Sequence, residues 1–177
     1  SLIGEGRFQS KIGGQWVDSD SQTVFSDIGR EPVVLEAKEG LSLINGTSQM
    51  CSYLAEASSL TSKLCYAADA ACAMSVEAIA GSHTPFDPRI HEIRHQAGQG
   101  KSASRIMEHL KESEIKESHA DCDRVQDAYS FRCAPQVHGA VCDVLDHVTK
   151  VVVSDANSAT DNPLIVPDGE GGYDVLS

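Results

Sequence analysis

The sequence predicts a mainly α protein, a bundle of long packed helices with short hairpins near both ends. Three observations predict it. From Leu35 to Ala80 the composition is dominated by Ala, Leu, Glu, Ser and Met, mostly good helix formers. From Gln136 to about Asp155, Val137, Ala140, Val141, Val144, Leu145, Val148, Val151 and Val152 recur at i, i+3, i+4 and i+7, the period of one helix face. Glycine-rich turns, by contrast, gather near the two ends of the chain.

Taken in order, residues 1–30 form a loop-rich entry segment. Gly13-Gly14 lies between the strand-like pieces Arg7-Phe8-Gln9 and Gln15-Trp16-Val17, which predicts a hairpin. Glu31-Pro32 predicts a helix start, because Pro is favoured at the first helical position. A helical core then runs over 31–163. In its first part Leu54, Ala57, Ser58, Leu64, Ala68, Ala71 and Met74 are mostly small, which suits close packing on more than one side. Gly81-Ser82-His83-Thr84-Pro85-Phe86-Asp87-Pro88 breaks the pattern, and a short helix through His91 is expected next. A further helix is predicted from Lys101 to Glu117, turning Ile106, Met107, Leu110 and Ile115 inward. Residues 118–131 show no period, and long irregular connections tend to be functional. After the valine-rich helix, Asn157-Ser158 and Asp161-Asn162-Pro163 signal turns. The tail, 164–177, carries Asp168-Gly169 and Gly171-Gly172 between short apolar pieces and reads as a second hairpin.

The 177 residues hold 14 Lys and Arg against 26 Asp and Glu, a formal net charge of −12. That balance argues against nucleic acid as a partner, which needs a basic face. No run approaches ~18 consecutive apolar residues, so no membrane span is expected. Six cysteines, at 51, 65, 72, 122, 133 and 142, are too sparse for a disulfide scaffold and predict a reducing, cytoplasmic setting. Cys65 and Cys72 lie seven apart and read as small buried apolar residues on one helix face. Asn45-Gly46-Thr47 matches a glycosylation sequon, a triplet common by chance.

Four patterns bear on chemistry. His91-Glu92-Ile93-Arg94-His95 fits the zinc-peptidase pattern H-E-x-x-H, but Arg94 would set a cation beside the metal, Gly98 interrupts the helix, and no third ligand follows at a conventional spacing. His119 and Cys122 with Cys133 and His138 offer ligand types without the usual tight pairing, so no metal is expected. Gln126-x-x-Tyr129-x-x-Arg132 combines an orienting amide, a phenol able to exchange a proton and a planar fork suited to a carboxylate. Either this cluster binds a small anion, or Arg132 pairs with Asp127 or Asp123 and caps loop carbonyls. Asn45-Gly46 is a locally poor choice in a helical run, and local rule-breaking often marks a site.

Longer blocks then align with a known family. Ala37-Lys38-Glu39-Gly40-Leu41, Leu43-Ile44-Asn45-Gly46-Thr47, Pro85-Phe86-Asp87, Arg89-Ile90-His91, Arg124-Val125-Gln126-Asp127-Ala128-Tyr129-Ser130, Arg132-Cys133-x-Pro135-Gln136-Val137-His138-Gly139 and Asn157-Ser158-Ala159-Thr160-Asp161-Asn162-Pro163 together resemble the histidine ammonia-lyase branch of the aromatic amino acid lyases, along the whole of residues 1–177. The resemblance implies the helical fold of that family and non-oxidative deamination of L-histidine to trans-urocanate and ammonia. It implies a methylidene-imidazolone (MIO) electrophile formed from an internal Ala-Ser-Gly, and a homotetramer whose active sites are shared between subunits. By motif, Asn45 corresponds to a residue contacting the prosthetic ring and the substrate carboxylate, Arg132 to the carboxylate clamp, and Tyr129 and Gln126 to polar residues beside the ring.

Three departures qualify the resemblance. No Ala-Ser-Gly occurs in these residues, the chain opens Ser1-Leu2-Ile3-Gly4 without a Met, and it stops at Val175-Leu176-Ser177. The expectation is therefore an internal slice of the enzyme, beginning just after the prosthetic-group segment and inactive alone. Phenylalanine or tyrosine as substrate, or a non-catalytic helical scaffold, stand as the alternatives.

Overall fold

The computed structural model describes residues 2–177, apart from the side chain of Ile12. In chain order these form β1 (Arg7–Ile12), β2 (Gln15–Asp20), α1 (Ser21–Asp27), α2 (Glu39–Asn45), α3 (Ser48–Ala78), a 3-10 turn (Thr84–Phe86), α4 (Pro88–Glu92), α5 (Ala97–His109), α6 (Glu114–Ser118), α7 (Tyr129–Arg132), α8 (Ala134–Ala156), β3 (Leu164–Pro167) and β4 (Tyr173–Leu176). Contacts group them into two units. One runs through Gly46 and resumes over Asp161–Ser177; the other is Thr47–Thr160.

In the first unit β1 and β2 pair antiparallel, Arg7 opposite Asp20 and Ser10 opposite Val17. Gly13 and Gly14 both take positive φ, the conformation a tight hairpin turn requires. Asp20 accepts the Thr23 N–H at 2.9 Å and so caps α1, a helix the sequence reading did not foresee. The Ser21 hydroxyl, buried, donates to the carbonyls of Glu5 and Gly6. Phe25 of α1 meets Phe8 edge-on, ring centroids 6.1 Å apart.

The helix expected at Glu31-Pro32 does not form. Residues 30–36 are irregular, the Val33 N–H donates to the Leu2 carbonyl, and the Pro32 ring lies against Gly4. The fixed φ of proline serves an extended segment as well as a helix start, and here the backbone partner decides. The helix begins instead at Glu39, whose carboxylate accepts the Glu36 N–H at 2.7 Å. Asp161 accepts the Ser42 hydroxyl and pairs with Lys38 at 3.2 Å, tying α2 to the segment before β3. In the tail, Leu164 stands opposite Leu176, and Asp168 Oδ1 accepts the N–H groups of Glu170 and Gly172 to close the turn.

The second unit is built on α3, α5 and α8. Cys72, Ala73 and Val76 of α3, Phe86, Ile106 of α5, Leu110 and Ala134 of α8 form its core, with Met107 and Phe131 packed against it. Of the residues expected to pack α3 closely, Ser58 is buried and Ala68 half-buried, while Leu54, Ala57, Leu64, Ala71 and Met74 are exposed in this chain. The inward face carries Asp69, Ala73 and Val76 together with Cys65 and Cys72, the last two as expected. Asp87 caps α4 with Pro88 at its first position, as the break at 81–88 predicts. The predicted helix Lys101–Glu117 is two helices. Glu112 turns to φ +61°, and Ser113 starts α6 by accepting the Lys116 N–H while donating to Glu77 at 2.6 Å. Ile115 consequently faces outward, 43% exposed.

Along α8 the inward face is small: Ala134, Pro135, Gly139 and Cys142, joined by Val152. Val137, Val141, Val144 and Val151 stand on the surface of the chain. The reason is the crossing with α5. The helices approach backbone to backbone at Gly98 and Gly139, leaving no room for a branched side chain there. No helix in the described residues is long and apolar enough to cross a membrane.

Candidate active site

The site segment lies between α6 and α8. Residues 120–128 make a loop pinned by one buried carboxylate: Asp127 Oδ2 accepts the Ser82 N–H at 2.6 Å, and Oδ1 pairs with Arg124 at 3.2 Å. Gly81, just before Ser82, is tight against the same carboxylate, so a side chain there would press on the anchor. The chain then enters the single turn of α7 and passes through Cys133 into α8.

The carboxylate partners expected for Arg132 are engaged elsewhere or apart from it: Arg124 takes Asp127, and no described carboxylate pairs with Arg132. The Arg132 guanidinium instead lies over the Tyr129 ring, 4.2 Å from its centroid. Arg132 Nε is buried and has no hydrogen-bond partner among the described residues. Gln136 Oε1, in the first turn of α8, is in the same condition. Arg132, Gln136, Gln126, Asp127 and Ser82 share a cavity of about 360 Å³. Gln126 and Arg132 are thus brought together, while the Tyr129 ring, 70% exposed, lies outside the cavity lining.

Asn45 belongs to the first unit. It ends α2, exposed, and its amide makes no hydrogen bond among the described residues. Gly46 follows because the chain turns back on its own helix: a Cβ there would stand 2.4 Å from the Ser42 carbonyl oxygen. The odd Asn45-Gly46 pair therefore has a local cause as well as any chemical one.

The metal-like patterns dissolve into hydrogen bonds. His91 is buried with both ring nitrogens engaged, one by the Pro85 carbonyl at 3.0 Å and the other by Gln99 at 2.9 Å. α4 ends at Glu92 and His95 turns to φ +55°, so the two histidines do not share a helical face. His138 binds Asp69 at 2.9 Å, while His119 and Cys122 are exposed. No group of three His, Cys, Asp or Glu among the described residues is placed to hold a metal.

The family model for aromatic amino acid lyases matches residues 1–177. The chain belongs to the aromatic amino acid lyase family. It is 45% identical over 179 residues to the histidine ammonia-lyase of Sorangium cellulosum, covering all of this chain and 34% of that protein. It is 44% identical over 168 residues to the bovine (Bos taurus) histidine ammonia-lyase, covering 93% of the chain and 25% of the relative. The crystal structure of histidine ammonia-lyase from Trypanosoma cruzi superposes with a TM-score of 0.78 at 40% identity, over 99% of this chain and 31% of that one. The chain spans about a third of the length of curated relatives that it matches.

Two features of this aromatic amino acid lyase chain escaped the sequence reading. Gln136 was visible only as part of a motif block, although its spacing of four from Arg132 on a helical path was a usable signal. Asp69 gave no signal at all. It is fully buried in α3, and the Ser102 hydroxyl of α5 (2.6 Å), the His138 ring of α8 (2.9 Å) and the Arg105 guanidinium (3.4 Å) converge on it. Arg105 also stacks on Tyr66, 3.7 Å from the ring centroid. One carboxylate thus holds three helices in register behind the first turn of α8.

Proposed function

We propose that these residues supply the carboxylate-orienting half of an ammonia-lyase site acting on L-histidine, releasing trans-urocanate and ammonia. The observation that carries the reading is that Arg132, whose buried Nε has no partner among the described residues and which pairs with no described carboxylate, lines a cavity with Gln126. A guanidinium held without a protein carboxylate is prepared for one from a ligand, and its planar fork fixes the ligand's orientation. Orientation of this kind removes part of the entropic barrier to reaction. Tyr129, stacked against the same guanidinium, keeps its phenol solvent-accessible, where it can give or take a proton. Gln126 offers an amide to the same ligand. The identity to histidine ammonia-lyases supports histidine over other aromatic substrates.

The chemistry of the donors fits the MIO group that the family resemblance implies. Asn45 presents an amide that no described residue engages, suited to a ring carbonyl or a substrate carboxylate. When bound, the group supplies an electrophile for the substrate amine. Its Ala-Ser-Gly source does not occur within residues 1–177, so Asn45, Tyr129, Gln126 and Arg132 are read as contacts to the group and its substrate and not as its origin. Assembly as a homotetramer with shared sites accords with the valine face of α8, where Val137 and Val144 are each 64% exposed. Six free cysteines accord with a cytoplasmic setting.

The protein expressed from its complete coding region, supplied with L-histidine, is expected to produce the ultraviolet absorbance of urocanate. L-Phenylalanine and L-tyrosine are run in parallel. Cinnamate or coumarate without urocanate would overturn the histidine assignment, and no product from any of the three would overturn the lyase reading.

A further inference from the structure

The joint between α7 and α8 contains two buried polar atoms without partners among the described residues, a donor at Arg132 Nε and an acceptor at Gln136 Oε1. Nearly all buried polar atoms in folded proteins are bonded, because desolvating one without a partner costs more than a typical hydrogen bond returns. A single orphan is a local imperfection. Both atoms belong to residues that line one cavity of about 360 Å³, and side-chain rotation within it would offer a ligand a donor and an acceptor together. The neighbouring charge is already committed, since Asp127 is occupied by the Ser82 N–H and Arg124 and cannot answer either atom. The residue type matters too. A glutamate at 136 would pair with Arg132 and neutralise the fork, whereas an amide carbonyl accepts a hydrogen bond and leaves the guanidinium charge available.

We propose that Gln136 is a further substrate-binding residue, its side-chain carbonyl accepting an N–H of the α-ammonium of an amino acid whose carboxylate is taken by Arg132. The assignment rests on the carboxylate role of Arg132 proposed above. An α-amino acid carries anion and cation on one carbon, which matches a donor and an acceptor in one small cavity. Gln136 therefore reads the amine, a group that Arg132 cannot recognise.

The test uses the protein expressed from its complete coding region and measures binding by calorimetry with three probes: L-histidine, histamine, which lacks the carboxylate, and 3-(imidazol-4-yl)propanoate, which lacks the ammonium. Gln136→Met is expected to weaken histidine and histamine by roughly ten- to a hundredfold, the size of a hydrogen bond to a charged group, and to leave the propanoate within about twofold. Arg132→Met is expected to weaken the propanoate and spare histamine. Gln136→Glu puts a competing carboxylate at Arg132 and is expected to weaken the propanoate, an effect that a merely structural role would not give. Equal loss of all three probes in Gln136→Met, or no loss of any, overturns the proposal. Phenethylamine and 3-phenylpropanoate are run beside them, so a different ring preference changes the probe pair without disturbing the comparison. Wild-type protein that melts cooperatively but binds none of the probes overturns the functional reading and Gln136 with it. Wild-type binding with an unmoved Gln136→Met overturns Gln136 alone.

Discussion

Gly98 and Gly139 meet at the crossing of α5 and α8 with no space between their backbones. A Cβ on Gly139 would lie 2.3 Å from the Gln99 nitrogen, and one on Gly98 would lie 2.1 Å from the Gly139 carbonyl oxygen. The contact is reinforced by Asp143 Oδ1, which accepts the Gly98 N–H at 2.8 Å. Backbone cannot yield as a flexible side chain can, so the helices would have to separate. Gly139→Ala is expected to destabilise the fold by about 3 kcal/mol, at the upper end of ordinary overpacking, read as a lowered midpoint in urea unfolding.

The Asp69 node predicts a different kind of loss. Ser102→Ala removes one donor from a fully buried carboxylate and is expected to cost about 1–3 kcal/mol. Asp69→Ala leaves Arg105 and His138 without their shared acceptor and is expected to cost about 3 kcal/mol or more. Because both substitutions strike one network, the double variant should lose less than the summed single losses in a denaturant cycle.

The proposed roles of Tyr129 and Arg132 predict separable kinetic effects. Tyr129→Phe keeps the ring under the guanidinium and removes only the phenol, so kcat is expected to fall by roughly 10²–10⁴-fold with little change in KM. Arg132→Lys keeps the charge and loses the fork, so the main expected effect is a KM raised on the order of tenfold or more. Steady-state urocanate formation by the protein from its complete coding region distinguishes the two patterns.

Acid titration gives a local test of the break before α4. Asp87 accepts bonds from the Arg89 side chain and backbone, which hold its carboxyl down to about 2. A carboxyl below its unfolded value of about 4 stabilises the folded state above that pH and loses the contribution as pH falls from about 4 through the folded value. Carbon-detected NMR is expected to place the Asp87 midpoint near 2. Arg89→Ala should move it up toward the usual carboxylate range.

The exposed valines predict an assembly phenotype. Val144→Glu puts a charge at a position on α8 that is 64% exposed in this chain, so the melting temperature should change little. If that face is buried between subunits, sedimentation should show a smaller species at the same protein concentration. Unchanged assembly would remove α8 from the proposed tetramer contacts.

Local and periodic features were legible from the sequence. Gly13-Gly14 and Asp168-Gly169 marked the hairpins because tight turns demand conformations few other residues take. The α8 segment was legible from its 3.6-residue period, and the break at 81–88 from its prolines. Gln126, Tyr129 and Arg132 stood out by chemical type, which resemblance then sharpened. Two of the misses share one cause, which is that a nonlocal partner overruled a local signal. Pro32 became extended because Val33 bonds Leu2, and Ile115 turned outward because Ser113 bonds Glu77 and starts a new helix.

By itself, then, the sequence determined the helical class, the turns, the family likeness and the chemical types gathered around 126–132, since each depends on residue identity and near-neighbour spacing. Only the tertiary structure decided that Arg124, and not Arg132, takes Asp127, that Gln136 shares the orphaned state of Arg132, and that Asp69 binds three helices together. Those outcomes are competitions for partners among residues far apart in the chain. Burial settles such competitions, because away from water each polar atom must find a partner or go without.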